Sequence, residues 1–250
     1  YVSAKKKQNI QELKEYLGTL TAADEQKLPL VGDLLKPMNV VILVTPIDSS
    51  APKGRLILPQ QQTIRDILEA GAVSVVIRET ELSATLASLD AKPTMVITDS
   101  QAFAQVSKDT PKDIPLTSFS ILMARYKGSL ALTVDGVSAI EKLRDGDTVL
   151  IAEGCTHHRQ CNDIGTVKIP HWLTAHTGKQ LIIKTVSGTE FPEDLSPYAL
   201  ILHCGGCMLN EREVKSRMNA ATAQNVPFTN YGIAIAYING ILERSVKPIR

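Results

Sequence analysis

A chain of 250 residues with 44% apolar and 21% charged side chains has ordinary soluble globular composition, and it is long enough for one large domain or two smaller ones. A formal net charge of +1 gives no electrostatic basis for binding nucleic acid or a membrane surface, and no apolar run reaches the ~18–20 residues that span a bilayer. The opening YVSAKKKQN is not a signal peptide, and four clustered cysteines do not make a secreted disulfide framework, so the expected class is a cytoplasmic, mixed α/β protein.

In chain order, Ile10, Leu13 and Leu17 stand at helical spacing and predict a short amphipathic helix over 7–20. The stretch LPLVGDLLKP, interrupted by Pro29 and Pro37, reads as a linker. NVVILV (39–44) is an unbroken β-branched run, as expected of a strand buried on both faces. A helix follows, with Pro59 near its start and Gly71 as its stop. AVSVVI (72–77) and TMVIT (94–98) are further strands, separated by the helix ELSATLASL and followed by the helix SQAFAQVSKD with Ser100 as N-cap. This β-α-β-α-β-α order predicts a small parallel sheet with helical crossovers.

After the break TPKDIP (110–115) the pattern restarts. Residues 116–142 read as helical material, and strands are expected at 147–153, 180–188, 198–203 and 226–230. A crossover helix is expected at 210–224 and an apolar helix at 231–244. The fold class is therefore α/β, with two consecutive parallel-sheet units and no internal sequence repeat.

All four cysteines and three of the five histidines lie in AEGCTHHRQC (152–161) and ILHCGGCM (201–208). Cys155 falls just past one expected strand, and Cys204 and Cys207 just past another. Parallel strands finish at one edge of their sheet, where ligands bind, so the two stretches are expected to meet. Three thiolates with nearby imidazoles, C-x-H…H-C-x-x-C, suit an iron–sulfur cluster with one labile corner or a Cys3His zinc site. HCGGC between strand and helix also matches a redox dithiol, although that leaves Cys155 unexplained. Gly205 and Gly206 let the backbone wrap closely around sulfur, and a helix starting near 210 favours a negatively charged centre. Cys161 is read as a bystander thiol, His158 as a neighbour of the ligands, and His171 and His176 as packing or surface groups. Lys168 and Arg159 offer charge near the site, whereas Lys53 and Arg55 lack phosphate-loop spacing.

Cys155-Thr156-His157, forty-five residues, then His203-Cys204-Gly205-Gly206-Cys207 resembles the signature of the HydF family of [FeFe]-hydrogenase maturation factors. DIGTVKIPHWL (163–173), VPFTNYGIAIAYING and VTPIDSSAPKGRLILPQQQTIRDIL are similar to the family as well, so the resemblance covers nearly the whole chain. It implies four segments: 1–19 as the tail of a GTPase domain, 20–37 as a linker, 38–112 as a small dimerisation domain and 113–250 as a cluster-binding domain. Ser3, Ala4 and Lys5 resemble the remnant of a guanine-contacting loop. GTP would bind only through the missing domain; the phosphate-binding G-x-x-x-x-G-K-[ST] loop does not occur in these residues, and no GTPase activity is expected of them alone. The resemblance further implies a [4Fe–4S] cluster on Cys155, Cys204 and Cys207, with His157 or His203 as exchangeable fourth ligand. The implied role is a homodimeric scaffold without side-chain chemistry. It would take a diiron precursor bearing CO and cyanide from radical-SAM maturases and pass it to apo-[FeFe]-hydrogenase.

Overall fold

The computed structural model of the chain describes residues 2–6, 8–19, 28–47, 56–154 and 163–250, with the backbone alone at 17–19. The first sheet contains β1 (Val40–Val44), β2 (Val73–Ile77), β3 (Met95–Thr98) and β4 (Leu116–Ser118), all parallel in the order β2-β1-β3-β4. The second contains β5 (Thr148–Glu153), β6 (Ile182–Ser187), β7 (Leu200–His203) and β8 (Phe228–Asn230), parallel in the order β6-β5-β7-β8. The two orders are the same, so one winding is used twice without a repeated sequence. The α/β class with two parallel sheets is as the apolar runs predict.

The helices are α1 (Ile10–Thr19), α2 (Leu58–Glu69), α3 (Leu82–Ser88), α4 (Phe103–Asp109), α5 (Phe119–Tyr126), α6 (Leu130–Gly136), α7 (Ile169–Thr177), α8 (Glu211–Ala223), α9 (Tyr231–Ile238) and α10 (Leu242–Val246). No helix among the described residues is long and apolar enough to cross a membrane. Side chains of a strand alternate between faces. Val149, Ile151, Leu200 and Leu202 therefore join a core continuous with the first sheet, while Leu150, Ala152, Ile201 and Phe228 face the other way, onto Ala221 of α8. Helix α9 lies in the shared core, against α5, α7 and the 3-10 turn 100–102 of the first unit. Side-chain caps fix where the site helices start: Ser118 accepts from the Ile121 amide, Asn210 from Glu213 and Asn230 from Ile233. Each such cap is worth about 1 kcal/mol.

Four local expectations differ from the structure. Residues 20–27 of the expected linker lie outside the described residues, but Leu30 and Val31 are buried, and the Asp66 carboxylate accepts from the Val31 and Gly32 amides at 2.8 and 2.6 Å. Leu116–Ser118 is a strand, not helical material, so the first sheet extends past the expected division at 112/113. Asp99 rather than Ser100 caps the following turn, because its longer carboxylate reaches the Gln101 amide. The expected last helix is interrupted at Gly240, whose φ of +68° ends α9 before α10 begins.

Candidate metal centre

Strand order reverses between β5 and β7, which makes their C-terminal ends the crevice where this kind of sheet binds ligands. Ala152 of β5 pairs with His203 of β7, and the Cys204 amide donates to the Ala152 carbonyl at 2.9 Å. The next residue on each side closes the contact: the Gly154 amide donates to Cys204 Sγ at 3.0 Å. The expected meeting of the two strand ends is therefore present as far as Gly154. Cys155, His157, His158, Arg159 and Cys161 lie outside the described residues, as do Lys53 and Arg55.

The Cys204–Leu209 turn is shaped for sulfur. Gly206 has a φ of +63° that L side chains rarely adopt, and its amide points at Cys204 Sγ from 3.4 Å. Burial pushes the Cys204 thiol up to about 11, with Cys207 and Glu153 adding to the rise and the Gly154 and Gly206 amides opposing it. The same two amides would support the charge of a thiolate at Cys204 once a soft metal displaced its proton. Leu209 closes the turn against the other stretch: a Cβ on Gly154 would meet its Cγ at 2.8 Å, so a side chain at 154 would push the two apart. Gly205 sits over α5, with Ser120 Oγ and Met123 Cβ 3.7 and 3.8 Å from where its Cβ would be.

His203 shares a strand face with Ile201 and so turns toward α8. It stacks on Phe228 with ring centroids 5.6 Å apart. Its Nδ1 lies 2.7 Å from the Cys204 carbonyl and its Nε2 3.2 Å from Arg217 Nη1. The guanidinium only donates, so Nε2 accepts and Nδ1 carries the hydrogen. Burial, opposed by the Cys204 carbonyl, draws the imidazole down to about 4 and keeps it neutral. Arg217, itself 2% exposed, is completed by Glu213 Oε1 and the Gly188 carbonyl, each at 2.8 Å, and by the Phe191 ring. Both nitrogens of this candidate ligand thus have protein partners.

The segment that resumes at Asp163 is anchored too. Asp163 is buried and accepts from the Thr166 amide at 2.7 Å. It caps a π-helical turn, 164–168, that leads into α7. Gly165 approaches so closely that a Cβ there would lie 2.4 Å from both Glu153 Oε1 and the Tyr231 hydroxyl. Lys168 donates to Gln101 of the first unit. His171 is exposed, and His176 pairs with Glu141 at 2.8 Å beside Tyr237, as packing and surface groups. Ser3, Ala4 and Lys5 form a turn closed by a bridge between Ser3 and Gln8.

Two residues escaped the sequence reading. Arg217 occupies the buried face of α8 together with Val214 and Ala221, a periodicity that was available. Lys127, just after α5, is 7% exposed and donates to the Leu209 carbonyl at 2.8 Å. Burial lowers its pKa below the usual lysine range, while Glu211 and Cys207 oppose the shift. Among the described residues no group of three or more Cys, His, Asp or Glu is placed to hold a metal ion; Cys204 and Cys207 are two of the three cysteines of the motif.

Residues 30–128 match the Hydrogen maturase F dimerization domain, and residues 131–248 match the Hydrogen maturase F tetramerization domain. Among curated proteins none matches. A crystal structure of an NtrC family transcriptional regulator from Clostridium acetobutylicum aligns over 82% of this chain and 97% of that one, at 14% identity and a TM-score of 0.25, too low to carry any argument. The two domain matches follow one another along most of the sequence and meet between α5 and α6, beside the cysteine turn: the chain belongs to the HydF family of hydrogenase maturation factors.

Proposed function

We propose that the chain is the scaffold that holds a [4Fe–4S] cluster through Cys155, Cys204 and Cys207 and carries a diiron precursor with CO and cyanide ligands to apo-[FeFe]-hydrogenase. The observation that supports this most is the Gly154 amide on Cys204 Sγ, because Cys155 is the next residue after Gly154. When bound, the cluster supplies an iron whose fourth position exchanges, on which a precursor can be held and released. The protein's part is to bind and orient. The amides of Gly154 and Gly206 support the Cys204 thiolate, and Leu209 keeps the two stretches together. His157 is the candidate for the exchangeable position, since His203 already holds Arg217 and the Cys204 carbonyl. In this role the protein works as a homodimer in the cytoplasm. It receives the precursor from radical-SAM maturases, and GTP acts through the domain that precedes these units in the family.

Metal and sulfide analysis with EPR on anaerobically reconstituted protein tests this. About four irons per chain and a reduced-cluster signal are expected, with the signal lost or weakened in Cys155→Ser. Tight zinc binding without iron uptake would replace the cluster with a structural zinc site.

A further inference from the structure

Helix α5 turns one face to the cysteine loop. Ser120, Met123 and Lys127 follow one another at helical spacing, and all three approach the Cys204–Leu209 turn. Lys127 reaches furthest. The residue is 7% exposed, and lysines are rarely so buried unless paired. The described residues give it no salt bridge; its acceptor is the Leu209 carbonyl, one contact for three N–H donors. Glu211 and Cys207 are the charged or ionisable groups close enough to act on it, and the ring of Tyr126 lies 5.5 Å from its Nζ. A buried cation that lacks a carboxylate in contact and stands beside a cysteine is arranged for negative charge that arrives later.

We propose that Lys127 is a positioning and charge-balancing residue of the cluster site. It pins the turn bearing Cys204 and Cys207 through Leu209, and it offsets the charge that three thiolates bring. The inference rests on the cluster reading above. A fixed positive charge favours the more negative, reduced state of the cluster, so its removal makes reduction harder.

The test uses anaerobically reconstituted protein carrying Lys127→Gln or Lys127→Arg, with dithionite titration followed by EPR and circular dichroism as the check on folding. Gln keeps an N–H donor for the Leu209 carbonyl but loses the charge. It should bind iron near the unsubstituted level, with a reduction equilibrium about ten-fold less favourable, or about 59 mV for one electron. Arg, which keeps the charge, should stay near the unsubstituted value. An unchanged potential in Lys127→Gln overturns the proposal. So does loss of the native dichroism in both variants, which makes Lys127 a packing residue only. Failure of the unsubstituted protein to take up iron is a distinct result that removes the cluster reading itself, and this inference with it.

Discussion

A neutral imidazole held between an arginine and a carbonyl makes position 203 a liability in acid. The unfolded chain binds a proton on His203 at the ordinary value of 6.5, whereas the folded chain resists until about 4. Folded protein therefore binds fewer protons across that window, and stability falls as pH drops from 6.5 toward 4. At pH 5 the loss from this one group is about 2 kcal/mol. His203→Gln keeps an acceptor for Arg217 and cannot titrate. The variant should melt lower than the unsubstituted protein at pH 7.5 but lose less on going to pH 5. Equal losses in the two proteins would place the acid sensitivity elsewhere. In the signature, spacing reports the nearness of position 203 to the cysteines, while strand parity decides which way its ring points, here toward α8 and Arg217.

At the scale of elements, the outer strands of the two sheets differ. β6 has an exposed lysine, Lys184, along its free edge, the usual guard against pairing with another chain. β2, VSVVI, has neither charge nor proline, and its Val73 and Val76 are 38% and 43% exposed. We predict that this unguarded edge, in the unit that matches a dimerization domain, is a contact between copies. Val76→Lys should shift the protein from dimer to monomer in light scattering with its dichroism unchanged; a dimer that persists would exclude this edge. The strands were legible because parallel, doubly buried strands are continuous apolar runs, as in NVVILV. β4 was not, since its three residues lead straight into SFSILMARY and its Thr117 and Ser118 are polar yet fully buried, Ser118 beside Ser100 of the first unit. Cys204 and Cys207 were legible from spacing and from the rule that parallel strands end together. Lys127 and Arg217 were not named, because the burial of a charge depends on acceptors remote in sequence, such as the Leu209 carbonyl for Lys127 and the Gly188 carbonyl for Arg217.

For the molecule as a whole, arginines join what the sheets leave separate. Arg244 of α10 donates to the carbonyls of Ser107, Thr110 and Pro111 and so ties the end of the chain to the first unit. Arg125 of α5 does more. It forms a two-pronged pair with Asp33 at 2.8 and 2.6 Å and also donates to the carbonyls of Pro29, Leu30 and Ile249. The guanidinium beside Asp33 holds that carboxyl below its usual value, so the pair forms above the ordinary value of 3.8 and is lost only as pH falls through the lowered one. It is therefore complete throughout the neutral range. One side chain thus seats the 29–33 segment and the C-terminus on the helix whose other face carries Ser120, Met123 and Lys127 beneath the cysteine turn. Arg125→Met leaves three carbonyls and a carboxylate without this partner, at a cost of about 2 kcal/mol after allowance for the half-exposed Asp33. Lysine keeps the charge but not the planar fork, so Arg125→Lys should recover only part of the loss. Because one core runs through both sheets, urea unfolding of each variant should remain a single transition with a lower midpoint. A second transition in Arg125→Met would mean that the shared core alone does not couple the two units, and that this clasp is what makes them unfold together.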